Sequence, residues 1–287
     1  MNILSLFDGI SCGQIALSRA GLEVDNYYAS ELDKHSIKVT QANWPNTIQL
    51  GDVTQWREWD IDWSSIDLLI GGSPCQGFSF AGKQLAFDDP RSKLFFVYVD
   101  ILNHIKSVNP DVRFMLENVK MKKEYINVIS EQLDVEPVFI NSALVSAQSR
   151  QRLYWANWEF SAPEDKGVVL NDILDDGYYS TREKSYCLDA NYGKGTNFRR
   201  YFFCGSRQLV LKNDYALPAN MTKENANDIM HRDENPWRKL AVSECERLQT
   251  VRADYIDGVD IPKNEKYKGL GNGWTVDVIS HIFKSMP

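Results

Sequence analysis

Asp67-Leu-Leu-Ile-Gly-Gly-Ser-Pro-Cys75-Gln-Gly-Phe78 is the stretch on which the reading of the fold turns. Leu68 to Ile70 is an apolar run with the length and texture of a buried parallel strand. Such strands deliver their last residues to the carboxyl edge of the sheet, where open α/β folds keep their chemistry. Gly71 and Gly72 allow a sharp turn or a close approach of backbone to ligand. Pro74 fixes its own φ and restricts Ser73. Cys75 is thereby held on a stiffened loop at the mouth of a sheet. Two readings fit this stretch alone: a nucleophile, or a small buried apolar residue at a strand end.

Composition bounds what surrounds it. The 287 residues make one large domain, or one domain plus a smaller one. With 43% hydrophobic and 25% charged residues the chain is of ordinary globular type. Its apolar runs fall far short of the roughly 20 residues a membrane span needs. Met1-Asn2-Ile3-Leu4 lacks the basic start of a signal peptide. The five cysteines are scattered, without a CxxC pair and away from the four histidines. That pattern fits a reducing cytoplasm and no structural metal site. The net charge of −7 speaks against nucleic acid at first sight, although binding depends on local charge.

The segments before and after Cys75 alternate strand and helix. Asn2 to Phe7 reads as a strand, Asp8-Gly9-Ile10-Ser11-Cys12-Gly13 as a turn, and Gln14 to Ala20 as a helix closed by Gly21. The G-x-x-x-G spacing with Asp8 suits a ligand carrying positive charge better than a pyrophosphate. Val24 to Ser30 is a second strand ending at Glu31, which either accepts ribose hydroxyls or starts the helix Lys34 to Asn43. Thr47 to Leu50 is a third, followed by Asp52-Val53. Three acids after three successive strands would meet at one sheet edge and suit a purine nucleoside with a cationic side chain, as in S-adenosylmethionine. The polar stretch 77–91 is long for a βα connection and is expected to be functional. Leu94, Phe95, Tyr98, Ile101, Leu102 and Ile105 mark one face of a helix over 92–106. Arg113 to Leu116 is a strand ending in Glu117-Asn118-Val119, whose acid either serves the site or caps a helix. Ser243-x-x-Glu246 has capping-box spacing. Gln148, Arg150 and Arg152 alternate, so an extended chain would set three long donors on one face.

From Ser161 to Trp237 the alternation fades. Between Tyr178 and Lys212 stand seven basic residues (Arg182, Lys184, Lys194, Arg199, Arg200, Arg207, Lys212) and two acids, a local charge of +5. Tyrosines and phenylalanines lie among them. That is the footprint of a nucleic-acid face, or of a small domain with a solvated basic surface. From Trp237 the regular pattern returns, and the glycines of Gly269-Leu-Gly-Asn272-Gly-Trp274 suggest a ligand-facing turn before a last helix from Val276 to Phe283.

Together these stretches resemble the cytosine-C5 DNA methyltransferases. Phe7-Asp8-Gly9-Ile10 with Gly13 is similar to the family's first cofactor motif, Pro74-Cys75-Gln76 to its nucleophile motif and Glu117-Asn118-Val119 to its acid motif. Gln148-Ser-Arg150-Gln-Arg152 matches QxRxR. Arg238-Lys-Leu240 with Ser243-x-x-Glu246-Arg-Leu-Gln249 matches the ninth motif, and Gly271-Asn272-Gly273 the tenth. Gly273-Trp274-Thr-Val-Asp-Val-Ile, Gly72-Ser-Pro-Cys75 and Lys93-Leu-Phe-Phe96 are closer to the animal de novo enzymes. A start at the first strand looks more like a stand-alone phage or bacterial protein.

The resemblance implies an α/β fold: a doubly wound, Rossmann-like sheet with a small irregular target-recognition domain inserted before the C-terminal helices. It divides the chain into a cofactor-binding catalytic domain (1–158), a target-recognition domain (159–236) and a return to the first (237–287). Phe7, Asp8, Gly9, Ile10, Gly13, Glu31, Leu32, Asp52, Val53, Pro74, Leu94, Asn272, Gly273 and Trp274 are then expected to hold S-adenosylmethionine and its product S-adenosylhomocysteine. Cys75, Glu117, Arg150 and Arg152 are the expected catalytic group. Gln76, Ser79, Arg182, Arg199, Arg200 and Arg207 would face duplex DNA. No metal and no membrane enter, and the setting is the cytoplasm of a bacterial or phage-infected cell, with restriction–modification as the context.

Cytosine C5 is a poor nucleophile. In the family a thiolate, here Cys75, adds to C6 and makes C5 enamine-like. C5 takes the methyl, and loss of its proton with elimination of the thiolate restores aromaticity. Glu117 would serve cytosine N3 and Arg152 the O2 side, with Arg150 supporting the loop or a phosphate. The base must leave the helix, and the 77–91 loop would close over it. Two other readings stand beside this one. A transfer-RNA cytosine-C5 methyltransferase would favour Pro-Pro-Cys and a Cys-Phe-Thr signature, whereas Ser73 precedes Pro74 here. A catalytically silent DNA-binding relative would not need Cys75, Glu117 and Arg152 together. A zinc cytidine deaminase is excluded, because it needs HxE and PCxxC.

Overall fold

The computed structural model describes residues 1–74, 93–195, 197–231 and 234–287. Chain order is β1 (Asn2–Leu6), α1 (Cys12–Ala20), β2 (Asn26–Ser30), α2 (Lys34–Asn43), β3 (Ile48–Gln49), β4 (Ile66–Gly71), α3 (Lys93–Val108), β5 (Arg113–Val119), α4 (Lys123–Leu133), β6 (Val138–Asn141) and β7 (Gln151–Ala156). Then follow β8 (Tyr178–Tyr179), α5 (Phe198–Cys204), β9 (Leu209–Lys212), α6 (Lys223–Met230), β10 (Trp237–Lys239), α7 (Val242–Leu248), α8 (Lys263–Asn272) and α9 (Val276–Lys284). Two compact units result. The first takes Met1–Asn141, Gln151–Pro163 and Val278–Pro287, and the second Ser142–Arg150 and Glu164–Asp277.

The first unit is built on a seven-stranded sheet in the order β3-β2-β1-β4-β5-β7-β6. β1 to β5 run parallel, and β7 lies antiparallel between β5 and β6. The order reverses between β1 and β4, which is the switch point where α/β sheets open a crevice. Strand content follows from burial on both faces: Ile3, Leu4 and Leu6 of β1 and Leu68, Leu69 and Ile70 of β4 are all buried. α3 packs the face expected of it, with Phe95, Tyr98, Ile101, Leu102 and Ile105 buried. Gly71 is needed where β4 passes β1 and α3: a Cβ there would lie 3.0 Å from the Leu6 carbonyl and 3.2 Å from the Tyr98 ring. On the far side of the sheet the Trp155 indole N–H donates to Ser130 Oγ at 3.0 Å, tying β7 to α4.

The segment that reads as irregular is ordered by a small core of its own. β8, β9 and β10 form an antiparallel sheet, and α5 and α6 bury Phe198, Tyr201, Ala226 and Ile229 against Leu209 and Leu211. This second unit extends to Asp277, beyond the sequence boundary drawn at 236. The reason is local: Arg238 forks onto Glu244 (2.7 and 2.9 Å), Lys239 donates to the Gly193 carbonyl (2.9 Å), and Tyr267 Oη donates to the Leu240 carbonyl (2.7 Å).

Two local expectations are corrected. The acid that closes the start of α7 is Glu244, which accepts from the Ala241 N–H at 2.7 Å. Glu246 instead accepts from the N–H groups of Asp254, Ile256 and Asp257. The glycines of 269–271 lie inside α8 rather than in a turn. Gly271 sits there because any Cβ would collide with the backbone of Asp189 and Ala190.

Candidate active site

Strand register brings the candidate residues of the first unit to one edge. Leu6 pairs with Ser30 on one side and with Gly71 on the other, and Gly71 pairs with Leu116. The next residues of each strand, Phe7-Asp8, Glu31, Gly72-Ser73-Pro74 and Glu117, therefore emerge side by side. Antiparallel β7 enters at the same edge, where Arg152 stands opposite Val119.

At the β5 end, the Arg152 Nε–H donates to Glu117 Oε1 at 2.7 Å, with 14% and 11% of the two side chains exposed. The pair is short, nearly enclosed and charge-assisted. The Glu117 carboxylate turns to Arg152 instead of capping α4, whose N-cap residue is Lys122. Asn118, buried beside it, donates through Nδ2 to Ser73 Oγ (3.2 Å) and to the Ser73 carbonyl (3.4 Å). The amide thus fixes the backbone that leads to Pro74. Cys75, Gln76, Ser79 and the 77–91 loop lie outside the described residues.

At the β1 and β2 ends, Glu31 is a clamp. Its Oε2 accepts from the Gly9 N–H at 2.7 Å, and its Oε1 accepts from Leu32 and Asp33 N–H at 2.8 Å each. Capping of α2 falls to Asp33, which takes the N–H groups of His35 and Ser36. Of the two roles open to Glu31, helix start is therefore filled by its neighbour. Gly9 has φ +59°, and nothing lies within 4 Å of where a Cβ would stand, so the turn is open on that side. Leu32 is 69% exposed, an apolar side chain offered beside a carboxylate. Asp52 accepts from Thr54 N–H and Oγ at 2.9 Å each, with Val53 buried behind it. Ser30 Oγ reaches the Gly51 carbonyl at 2.7 Å and ties the β2 end to this loop. Ile10 and Gly13 are buried, and Leu94 is half-buried on α3.

This set fits an adenosine-type group carrying a cationic arm. Carboxylate acceptors for hydroxyls, an open glycine turn and an exposed aliphatic face are the donor and contact chemistry such a molecule needs. Asp8 departs from the expected orientation. Its carboxylate accepts from Ser5 Oγ (2.6 Å), Tyr27 Oη (2.7 Å) and Ser11 Oγ. Burial pushes its pKa up to about 6, against the pull of those hydroxyls, and the Glu31 charge adds to the rise. Tyr27 was not singled out in the sequence; a tyrosine in a strand reads as core filler, and only its hydroxyl partner shows otherwise.

In the second unit, Gln148 and Arg150 are structural anchors. Gln148 Nε2 donates to the Leu248 carbonyl and to Gln249 Oε1 at 2.8 and 2.9 Å. Arg150, 3% exposed, donates to the carbonyls of Leu188 (2.9 Å), Gly271 (3.2 Å) and Gly273 (2.8 Å). The alternation of Gln148, Arg150 and Arg152 thus does not produce one face with one task. Of the two roles open to Arg150, these bonds are those of loop support. Asn272 is exposed at the end of α8, Gly273 is buried and Trp274 is half-buried.

The basic segment sorts in the same way. The Lys184 ammonium is spent on the carbonyls of Ala143 (2.6 Å), Ser146 (3.1 Å) and Val168 (2.5 Å). Arg207 is held by Asp189 at 3.2 Å and by the Gly195 carbonyl, and Lys212 pairs with Glu234 at 3.7 Å. Arg182 lies 3.9 Å over the Tyr186 ring and stays exposed. Lys194, Arg199 and Arg200 are exposed. Among the described residues no cluster of His, Cys, Asp and Glu could hold a metal ion, and no helix is long and apolar enough to cross a membrane.

A mixed sheet with an acid-lined glycine turn at its switch point, and an acid–arginine pair two strands away, defines a Rossmann-like methyltransferase. Comparison with known proteins agrees. The family model for the C-5 cytosine-specific DNA methylases matches residues 1–287. Type II methyltransferase M1.ScrFI of Lactococcus lactis subsp. cremoris is 28% identical over 320 residues, 99% of this chain and 77% of its own. Orphan methyltransferase M.Rho11sI of Bacillus phage rho11s is 33% identical over 294 residues, 96% of this chain and 53% of its own. Among solved structures, the methyltransferase EhMeth of Entamoeba histolytica shares the fold at a TM-score of 0.75 and 16% identity, over 98% of this chain and 96% of its own. The chain belongs to the C-5 cytosine-specific DNA methylases, and it is an enzyme that methylates DNA cytosine at C5.

Proposed function

We propose that the chain acts on a cytosine turned out of duplex DNA, through a covalent bond from Cys75 to C6, with S-adenosylmethionine as methyl donor. The observation that carries this reading is the Arg152–Glu117 pair at 2.7 Å, formed at the sheet edge where β4 runs into Ser73-Pro74. Glu117, held by Arg152, would share a proton with cytosine N3, where negative charge develops once the thiolate has added. Arg152 would serve the O2 side. Asn118 holds Ser73 and so steadies the approach to the nucleophile.

The cofactor, when bound, supplies an electrophilic methyl group. Glu31 would take its ribose hydroxyls, Leu32 and Val53 its adenine faces, and Asp52 its exocyclic amine. The backbone of 7–13, with Pro74 and Leu94, would wall the arm; Asn272, Gly273 and Trp274 are the second unit's candidates for cofactor contact. Arg150 supports that last segment by holding the Gly271 and Gly273 carbonyls. Target recognition falls to the second unit, with Gln76 and Ser79 as further candidates for DNA contact. Arg182, Arg199 and Arg200 are exposed for phosphates or base edges; Arg207 would contribute through the loop it holds. The cytoplasm of a bacterial or phage-infected cell is the setting we assign, with the mark protecting host or phage DNA.

The test is incubation with methyl-labelled S-adenosylmethionine, offering duplex DNA and transfer RNA separately, for the wild type and Cys75→Ser. The expected result is label at cytosine C5 of DNA, lost in Cys75→Ser with cofactor binding retained. Label on transfer RNA alone, or full turnover by Cys75→Ser, would overturn the reading.

A further inference from the structure

The turn that joins β1 to α1 is held in an unusual backbone state. Phe7, Gly9 and Ser11 have φ of 58°, 59° and 59°. Glycine enters that region freely, whereas phenylalanine and serine do so only when the surroundings hold them there. What holds them is a polar set under the turn. Asp8 Oδ1 accepts from Ser5 Oγ of β1 (2.6 Å) and Tyr27 Oη of β2 (2.7 Å), and Oδ2 accepts from Ser11 Oγ. Ser11 Oγ accepts in turn from Gln14 Nε2 at 3.0 Å, which also reaches Thr47 Oγ1 at 2.9 Å. Ser5, Ser11 and Tyr27 are all buried. Two further tethers are backbone donors: Asp8 N–H to the Ser30 carbonyl (3.2 Å) and Gly9 N–H to Glu31 Oε2 (2.7 Å).

An acid at this position suggests a counter-charge for a cationic ligand. The geometry says otherwise, because both carboxylate oxygens are committed to hydroxyls of the protein. We infer that Asp8 and Tyr27 are positioning residues for the cofactor: Tyr27, fixed in β2, anchors the Asp8 carboxylate, and the carboxylate holds Ser11 and the strained turn. The inference rests on the reading that S-adenosylmethionine seats on this turn. Glu31 would touch the ligand, and Asp8 acts through the backbone.

The arrangement carries a pH dependence. A charged carboxylate accepts all three hydroxyls. Once protonated, it must itself donate, and one of the three loses its acceptor. The groups that face Asp8 are Tyr27 and Glu31 from the β2 side, Ser5 from β1, and Ser11 from the start of α1. Burial, and after it the Glu31 charge, raises its pKa to about 6, against the lowering by the Ser11, Ser5 and Tyr27 hydroxyls. Charging and full support of the turn therefore coincide above about pH 6.

Calorimetric titration of the full chain with S-adenosylmethionine and with S-adenosylhomocysteine, between pH 5 and 8, tests this. Tyr27→Phe keeps the ring and removes the hydroxyl. It is expected to weaken both ligands equally, by about tenfold, the scale of one hydrogen bond to a charged group. The cofactor KM should rise with kcat nearly unchanged. Wild-type affinity for both ligands should fall below about pH 6, and Asp8→Asn should flatten that profile. If Asp8→Asn weakens S-adenosylmethionine tenfold more than the uncharged thioether, Asp8 touches the sulfonium and the inference fails. If Tyr27→Phe lowers only the melting temperature, leaving both affinities as in the wild type, the tyrosine is merely structural and the inference fails. Wild-type protein that binds neither ligand would overturn the cofactor reading itself, and with it this one.

Discussion

Replacement of Arg150 by methionine probes the internal scaffold of the second unit. The guanidinium is 3% exposed and donates to three carbonyls, Leu188 at 2.9 Å, Gly271 at 3.2 Å and Gly273 at 2.8 Å. Methionine fills the space of the aliphatic stem, so the packing loss is small. What remains is three acceptors without this donor. A buried group left without its partner costs about 1–3 kcal/mol, and the desolvation recovered by removing a buried cation offsets part of that. Taking the low end for each acceptor gives a net loss of about 3 kcal/mol. Arg150→Lys keeps the charge but not the planar fork, so it should recover only about 1 kcal/mol of it. Urea unfolding followed by tryptophan fluorescence measures both, and the transition read should be that of the second unit. Arg150→Met destabilised by less than about 1 kcal/mol, or Arg150→Lys equal to the wild type, would refute the scaffold role and return Arg150 to a direct role with phosphate.

Three further outcomes are expected. Glu117→Gln should lower kcat by about a hundredfold, the scale of one preorganised electrostatic group, with cofactor affinity unchanged; single-turnover methylation at saturating DNA measures it. Arg199→Ala with Arg200→Ala should leave the melting temperature within error, since both side chains are exposed. It should reduce the slope of log affinity against log salt for duplex DNA by about 1 to 2. Asp8 carries a stability signature opposite to an ordinary ion-paired acid. Burial raises its pKa in the folded state to about 6, above the ordinary 3.8 of an aspartate, so between those values the folded state holds a proton that the unfolded state has lost. Stability contributed by this group is full below about pH 4 and is lost as pH rises to about 6, by at most about 3 kcal/mol. Asp8→Asn should remove that slope in denaturation curves recorded at pH 4 to 7.

Much of the first unit was legible because its signals are local. Leu68 to Ile70 and Asn2 to Leu6 are continuous apolar runs, and runs of that kind become strands buried on both faces. Strand-end acids could be lined up because register in a parallel sheet places successive carboxyl ends at one edge. The second unit was harder. Its arginines and lysines looked alike in sequence, yet Lys184 and Arg207 are consumed by backbone carbonyls and Asp189, whereas Arg199 and Arg200 face solvent. Local charge counts the cations and says nothing of their partners. α8 was read as a turn because Gly269 and Gly271 depress helix propensity; tertiary packing overrides that, since Gly271 lies against the Asp189 backbone. The Ser243 to Glu246 spacing lies two residues out of phase with the observed Ala241–Glu244 box, with Glu244 and Glu246 serving different backbone amides. Tyr27 gave no signal, because its role lies in a hydrogen bond to a residue 19 positions away.

Covalent capture tests the central claim most directly. Duplex DNA carrying 5-fluorocytosine, incubated with wild-type protein and S-adenosylmethionine, cannot lose a proton from C5, so the thiolate cannot leave. A denaturation-stable protein–DNA adduct is predicted, with the modified peptide containing Cys75 and no adduct in Cys75→Ser. An adduct mapping to Cys12, Cys187, Cys204 or Cys245, or methylated DNA without any adduct, would contradict the account.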